Sequence, residues 1–536
     1  MKWSDTAALL LVVAGALALR LPQLDRRPLH TDESVHTIKF KGLWEEGVYR
    51  YDPHEYHGPS LYYLTLPSAW LSGARTFAQT TEATYRIVPV LFGVGLIVLL
   101  PLLRDGLGRT ATLSAGVLTA VSPAMVFYSR YYIHEMLLVF FSMLLLAGGW
   151  RSLRSGQGGW CVLGGVALGR MHATKETFVF VLTAAVGAAV LTWIWSRWMD
   201  RLRPDLTPFF RPRCLAAAAG VAVLVSVVLF TSFFTNGSGP LDSLRTYAPW
   251  FSRAEGHSPH NHPWHYYLGL LAWYRIGKGP LWSEGLILVL AVVGFVAALR
   301  PRRAVVQIEV AGANIRAADD PAHGATLVRF LGFYGILLGA IYSLIPYKTP
   351  WCLLGFLHAF ILLAGVGAAT VLNGARSAKV RIGVAVALCV GAAQLGVQAY
   401  RASYPYCDSQ RNPYVYAHTL SDLLNLVERV EQLAALDPAG HGLPVRVLVK
   451  GGGAWPLPWY LRRFRKVEWD PQPALDPRFP IVIASPTYEA AIQEKLGRTH
   501  EPAGHFGLRP GPNGLLALFV EKRLWESFLN APKPAK

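Results

Sequence analysis

Charge is what this sequence of 536 residues has least of: Asp, Glu, Lys and Arg make up 16% of it, against roughly 25% in soluble domains. That excludes a water-soluble surface over most of the chain. Cysteines number only five. Cys161, Cys214, Cys352 and Cys389 lie in or beside apolar runs and Cys407 alone sits in the tail, so they outline no disulfide or zinc framework. Nucleotide-binding signatures are missing as well. "KGGGAWPLPWY", from Lys450, follows a strand-like run but lacks both GxGxxG spacing and the Lys-Ser/Thr of a phosphate loop, and reads as a turn. No internal repeat is evident, which argues against a transporter built from repeats, and only the last "APKPAK" reads as loose.

Hydrophobic residues fill the space that charge leaves, at 52% with a mean hydropathy of +0.31. Apolar runs of about 18 to 22 residues recur, the length that crosses a hydrocarbon core of about 30 Å. They predict about eleven helices, at roughly 6–21, 86–103, 110–128, 136–150, 159–173, 177–196, 214–235, 284–299, 327–345, 351–372 and 381–400. The first run, "TAALLLVVAGALALRL", has a signal-like length but no small-residue cleavage site before Asp32, and reads as a retained helix.

The net charge of +18 and pI of about 9.7 come from short loops rather than from one basic stripe, so topology explains them better than nucleic acid does. "RDGLGR", "RSLRSG", "SRWMDRLRPDLTPFFRPR", "RPRR" and "NGARSAKVR" carry the arginine excess and are expected in the cytoplasm. The opposite face then receives the loops 22–85 and 236–283, the turns "SRYYIHE", "HATKET" and "YKTPW", and everything after about residue 400. The expected fold is mainly α: a polytopic membrane core over 1–400, followed by an extracytoplasmic α/β domain over 401–536. In that tail "SDLLNLVERVEQLAAL" has a helical period with Ser421 or Asp422 as cap, while "VRVLV", "PIVIAS" and "LLALFVEK" read as strands or near-strands.

The polar residues collected on that face are the candidates for chemistry. Adjacent Asp32 and Glu33 in "RRPLHTDESVHTIKF" suit a general base beside a metal or hydrogen-bond partner, since mutual repulsion separates their pKa values. The alternative is a cap, with Thr31 or Asp32 opening a helix that carries His36 and Lys39 on one side. Further on, "YDPHEYHGPSLYYLTLPSAW" supplies Asp52, His54, Glu55 and His57 ahead of a broken apolar run that reads as re-entrant or surface-lying. Within that run Tyr62, Tyr63 and Trp70 read as an interfacial aromatic belt. Arg86, Arg130, Lys175 and Lys348, with Glu135 and Glu176 close by, stand near hydrocarbon, where a charge pairs or faces a watery cavity. Convergent cations are what a phosphate leaving group requires; a structural ion pair of Lys175 with a glutamate is the alternative. The histidines of "HSPHNHPWHYY", His257, His260, His262 and His265, could bind a divalent ion but lack fixed helical spacing.

Taken in order, "TDES", "HGPSLYYLT", "YRIVPVLFG", "SRYYIHEMLLVF", "ALGRMHATKETF" and "YKTPW" resemble the membrane glycosyltransferases of the protein O-mannosyltransferase and aminoarabinose-transferase type. The tail segments "RNPYVYAHT" and "WPLPWYLR" are similar to those of the flippase-activity-associated subfamily. The resemblance implies the GT-C fold and transfer of a sugar from a polyprenyl-phosphate carrier to an acceptor hydroxyl of the cell envelope, at the cytoplasmic (inner) membrane. It makes Asp32 the catalytic base and Glu33 an acceptor-orienting or metal-holding group. Arg86, Arg130, Glu135, Lys175, Glu176, Lys348 and Tyr62 become the substrate-binding set, with Lys175 foremost for the lipid phosphate. Two departures stand out. Lys175-Glu176-Thr177 replaces the Lys-Gly-Pro of the aminoarabinose group, so Glu176 could pair with Lys175; and His57 stands where a lysine is frequent, leaving room for a divalent metal on Glu55 and His57. The competing reading is a non-catalytic, lipid-carrier-binding accessory of a flippase or transporter, and a third is an assembly protein whose aromatic tail, with Trp455 and Trp459, contacts a partner or carbohydrate.

Overall fold

Long apolar runs become helices because a backbone in hydrocarbon must satisfy its hydrogen bonds within itself. The computed structural model describes residues 3–54, 57–200, 211–249, 260–301, 321–469, 476–511 and 514–532, and each of the eleven expected ranges is helical in it. Among the described residues eight helices are long and apolar enough to cross a membrane, or nine if Arg109–Val121 and Pro123–Ser129, bent by 58°, make one span. Gly158–His172 and Gly285–Leu299 have 15 residues each, short of the roughly 20 that a crossing needs. By length and composition, then, the described residues support eight or nine of the expected eleven spans.

The bend has a local cause. Pro123 cannot donate a hydrogen bond to the preceding turn, so a new helix starts there with Ser122 as its N-cap. The carbonyls released by the break are not left bare: Arg20 donates to those of Ala120 at 2.8 Å and Thr119 at 2.9 Å. On the other side Glu284, fully buried, accepts from the Ser122 hydroxyl, the Ala124 N–H and the Tyr414 hydroxyl.

Small residues let the helices touch backbone to backbone. A Cβ on Gly294 would lie 2.2 Å from the Leu363 carbonyl oxygen, and one on Gly367 1.9 Å from that of Leu290, so Gly285–Leu299 and Leu354–Gly374 pack at glycine distance. Gly165 and Gly169 do the same against Ala218 and Ala222. That contact brings the starts of Gly158–His172 and Pro212–Phe230 together and forms a Cys161–Cys214 disulfide, Cα–Cα 5.6 Å. Cysteine spacing gave no sign of this pair because the bond depends on which helices are neighbours.

The chain divides into two units that interleave along the sequence. Met1–Pro22, Val48–Thr65 and Arg86–Tyr414 form the membrane unit; Gln23–Gly47, Leu66–Tyr85 and Val415–Lys536 form the tail unit. The division at residue 400 read from the sequence thus falls differently, because two stretches of the first loop group with the tail. The tail unit is built on a mixed five-stranded sheet of β1 (Val445–Leu448), β2 (Val467–Trp469), β3 (Ile481–Ala484), β4 (His500–Gly507) and β5 (Leu515–Glu521), in the order β2-β1-β3-β5-β4. β1 pairs in parallel with β2 and β3, whereas β5 runs antiparallel to β3 and β4. β1 and β3 are buried along their whole length, as central strands of a covered sheet must be. The helix Asp422–Leu436 places Leu423, Leu426, Val430 and Leu433 on one buried stripe.

Two sequence segments of the same unit, Leu66–Tyr85 and the stretch around Trp459, meet to make a second core. Trp459 is fully buried, its ring nitrogen donating to Glu82 at 3.0 Å while Phe77 and Tyr85 pack edge-on against it. Trp459 is therefore a core residue rather than a carbohydrate contact. Arg462 donates to the Thr80 carbonyl at 2.7 Å and closes the same corner.

Candidate active site

The helix Thr31–Glu46 starts one residue earlier than a Thr31 cap, and two earlier than an Asp32 cap, would place it. His30 is the N-cap: its Nδ1 accepts the Asp32 N–H at 3.1 Å, and the Glu33 carboxylate accepts the His30 N–H at 2.9 Å, which together make a capping box. A histidine can do this only while neutral. Burial pushes its pKa below the usual range against the pull of the Asp32 and Glu33 carboxylates, and so preserves the acceptor.

Glu33 is wholly buried. Nη2 of Arg27 spans both of its oxygens at 3.2 and 3.0 Å, and Nη1 of Arg27 lies 3.1 Å from His418 Nε2. Tail residues fix the chain on either side: the Leu29 N–H donates to Tyr460 Oη at 2.9 Å, Thr419 Oγ1 to the Leu29 carbonyl at 2.7 Å, and Arg509 Nη2 to Thr31 Oγ1 at 3.0 Å. Asp32 is different. Its side chain is 44% exposed and its carboxylate stands 3.9 Å from His30 Nδ1, beyond hydrogen-bond reach. The neighbouring carboxylates thus have opposite duties, Glu33 bound into the scaffold and Asp32 open on a rigid, capped first turn.

The membrane unit carries the second cluster. The segment at Gly58–Ser60 docks on the turn after His172, with the Gly58 N–H donating to the Thr174 carbonyl at 3.1 Å and the Ser60 N–H to that of Ala173 at 2.8 Å. Only glycine fits, since a Cβ on Gly58 would lie 2.3 Å from the Ala173 oxygen. Docking sets His57 Nδ1 2.8 Å from Glu176 Oε2, and Tyr51 Oη donates to Glu176 Oε1 at 3.3 Å. Burial would raise the Glu176 pKa, but His57 more than offsets it and holds the carboxyl below its ordinary value.

Lys175 turns the other way and forms a buried ion pair with Glu135. Burial would strip its proton; the Glu135 carboxylate reverses that and raises the ammonium above its ordinary value. The pair lines a cavity of about 20 Å³ together with Thr177, Tyr342, Trp351 and Cys352. "HEM", "TKET" and "KTPW" therefore converge at one point. The Lys175–Glu176 pairing considered from the sequence is replaced by two others, Lys175 with Glu135 and Glu176 with His57. Tyr62 is fully buried against Tyr49 and His134, so it is no part of an interfacial belt, whereas Trp70 stays exposed.

The remaining cations are placed but committed. Arg130 donates to the carbonyls of Arg20 at 2.6 Å and Pro22 at 2.7 Å and lies over the Tyr404 ring. Lys348 donates to the carbonyls of His262 at 2.9 Å and Ile345. Arg86 is buried in the first turns of Glu82–Leu99. Glu55 and His257 lie outside the described residues; among the described ones no three His, Cys, Asp or Glu side chains come together as a ligand set. His260 packs on Tyr347 and His262 stacks on Tyr266. Sequence reasoning missed Glu284, Tyr414 and His134. Tyr414 lies in "RNPYVYAHT" and His134 in "SRYYIHEMLLVF", and those motifs were the signals available.

With this geometry in view, comparison with known proteins gives two kinds of match. Residues 57–238 match the family described as dolichyl-phosphate-mannose-protein mannosyltransferase. None of the curated protein sequences matches the chain. Among solved structures, apo ArnT from Cupriavidus metallidurans is similar with a TM-score of 0.64 and 15% identity, covering 97% of this chain and 99% of that one. ArnT from the same organism bound to undecaprenyl phosphate gives a TM-score of 0.62 at 16% identity, with the same coverage of 97% and 99%. The oligosaccharyltransferase AglB from Archaeoglobus fulgidus gives 0.51 at 12% identity, covering 98% of this chain and 77% of that one. This chain is a multi-pass membrane protein with the GT-C fold of the membrane glycosyltransferases.

Proposed function

We propose that the protein is a membrane glycosyltransferase that moves a sugar from a polyprenyl-phosphate carrier to a hydroxyl of a cell-envelope acceptor, with Asp32 as general base. The observation that carries this reading is the contrast within one dipeptide: a fully engaged Glu33 holds the helix start while the Asp32 carboxylate, 44% exposed, is left open. The fold and the mannosyltransferase-family segment support the reaction class. Asp32 takes the acceptor's proton as its oxygen attacks the anomeric carbon, and the carrier phosphate departs with the electrons of the broken C–O bond. Lys175, with Glu135 as its resting partner, answers the negative charge that grows on that phosphate. Arg130 and Lys348 act through the carbonyls they hold, and Tyr62, Arg86 and Glu176 shape the same unit. The reading places the protein in the inner membrane with its tail on the extracytoplasmic side, and leaves Glu33 without a direct part in the chemistry.

The commitment of Lys175, Arg130 and Lys348 to protein partners favours one other reading, a non-catalytic accessory that binds the lipid carrier. Transfer of radiolabelled sugar from a mixed pool of polyprenyl-phosphate sugars to membrane acceptors separates the two. The enzyme reading requires transfer by wild type and its loss in Asp32→Asn with lipid binding retained. Transfer that survives Asp32→Asn removes the base assignment; carrier binding without transfer by wild type supports the accessory.

A further inference from the structure

Two helix starts next to arginine-rich loops carry a bond that sugar transfer does not use. Cys161 is the fourth residue of Gly158–His172 and Cys214 the third of Pro212–Phe230, and the two are joined as a disulfide. The helices do not depend on that bond to stay together. Arg211 Nη1 donates to the Gly156 carbonyl at 3.1 Å, Gly165 and Gly169 pack at backbone distance on Ala218 and Ala222, and His172 Nδ1 lies 2.6 Å from Ser226 Oγ at the far end. Opened to a dithiol, the pair stays within reach of closing again.

The bond is also open to attack. Gly156, Gly158, Arg211, Pro212, Arg213 and Cys214 line a cavity of about 480 Å³, the size of a small-molecule site. Gly158 and Gly159 begin their helix without side chains, and a Cβ on either would meet nothing within 4 Å among the described residues. Arg211 and Arg213 are exposed and give the cavity a positive wall. Cys214 lines the cavity, whereas Cys161 stands behind it with Sγ 3.2 Å from the hydroxyl of buried Ser152. The two sulfurs are therefore unequal: one faces the approach, and the other has a hydroxyl beside it.

We propose that Cys161–Cys214 is a thiol–disulfide exchange site for low-molecular-weight thiols that carry negative charge. A thiolate drawn in by Arg211 and Arg213 attacks Cys214 Sγ. The S–S bond breaks, its electron pair leaves on Cys161 as a thiolate, and a mixed disulfide forms on Cys214. The Ser152 hydroxyl donates to the Cys161 thiolate, and the start of a 15-residue helix favours its charge. A second thiolate then attacks the small molecule's sulfur and releases Cys214. Each cysteine takes up a proton that the thiols gave up, so two small thiols become one disulfide as the protein becomes a dithiol. The reverse sequence closes the bond. In the topology proposed above this face is cytoplasmic, where disulfides are transient rather than structural, and the site follows the thiol balance of that compartment. The compartment rests on that topology; the exchange chemistry does not.

The test follows the redox state of the two cysteines in the full-length protein, held in phosphatidylcholine nanodiscs so that both faces are open, by differential alkylation read peptide by peptide. Oxidised wild type and Arg213→Gln are incubated with reduced glutathione, an anionic thiol, or with mercaptoethanol, a neutral one, and glutathione disulfide is then added. We expect glutathione to open the bond in the folded protein and glutathione disulfide to restore it. Arg213→Gln should slow glutathione about threefold and leave mercaptoethanol unchanged. A bond that yields only after denaturation, cysteines that never pair under glutathione disulfide, or an Arg213→Gln rate for glutathione equal to that of wild type overturns the proposal. Should Arg213→Gln fail to fold, added salt replaces it, since screening must slow glutathione and spare mercaptoethanol on wild type, and an equal response of the two thiols is the overturning result. No sugar transfer enters the readout, so survival of transfer in Asp32→Asn leaves this test standing, and an inert disulfide leaves the Asp32 reading untouched.

Discussion

Replacing Glu33 by alanine should unfold the tail unit far more readily than replacing Asp32 by asparagine. Glu33→Ala strands Arg27, whose side chain is 8% exposed, as a buried charge without its carboxylate, a change that costs about 3–5 kcal/mol. Loss of the bond to the His30 N–H removes half of the capping box, and a lost cap costs about 1 kcal/mol on its own account. At about 2–4 °C per kcal/mol for a unit of this size, the melting temperature in detergent should fall on the order of 10 °C. Asp32→Asn removes a half-exposed charge that faces His30 at 3.9 Å and Arg509 without hydrogen-bonding either, and belongs with surface changes of within about 0.5 kcal/mol. Differential scanning fluorimetry on matched preparations separates them, with sugar transfer as the second readout: Asp32→Asn melts like wild type and is inactive, whereas Glu33→Ala loses stability and activity together. The double variant Arg27→Met with Glu33→Met should recover much of the loss, because removing both charges removes the stranded one. A Glu33→Ala variant that melts within 1 °C or so of wild type, or a double variant less stable than Glu33→Ala, would refute the division of labour between the two carboxylates.

The membrane unit allows a parallel test. Glu135→Ala leaves the Lys175 ammonium buried and unpaired, so a loss of about 3–5 kcal/mol is expected by thermal melting, with partial recovery in Glu135→Met combined with Lys175→Met. Stability should also depend on pH through His30. Its folded pKa lies below the ordinary 6.5, so below about pH 6.5 the unfolded chain binds protons that the folded one refuses; stability is complete above that pH and falls as pH drops toward the folded pKa. Melting curves between pH 7.5 and 5.5 should show the fall, and His30→Asn, which keeps an N-cap acceptor without titrating, should flatten it. Gly58→Ala should abolish transfer, or carrier binding if transfer is not the activity, because its Cβ has no room against the Ala173 carbonyl; retention of either at wild-type level would show that the 57–60 segment need not dock.

The spans were legible because crossing a bilayer is a matter of length and apolarity, both local. β1, β3 and β5 were legible as runs of apolar, largely branched residues. β2 is three residues with two exposed, and β4, "HEPAGHFG", carries Pro502 and Gly504 with a register shift between them, so neither shows a strand pattern. At the candidate site the residue types were visible and their partners were not. Lys175 and Glu135 are 40 residues apart, His57 and Glu176 119, Arg27 and His418 391; each pairing is decided by helix packing or chain return. His30 escaped as a cap because capping preferences favour small hydroxyl, amide and carboxyl side chains, and an imidazole serves only when burial keeps it neutral.

Thr31 and Arg509 touch although 478 residues separate them, and Arg27 and Leu29 lean on His418 and Tyr460 in the same way. A ribosome adding about 5–20 residues per second needs roughly 25–95 s to travel that distance. Throughout that interval the first loop waits without its supports, and the turn that presents Asp32 can be set only once Arg509 has been made. A chain terminated before Arg509 would insert its helices and still lack the full set of side chains that hold the Arg27–Thr31 stretch.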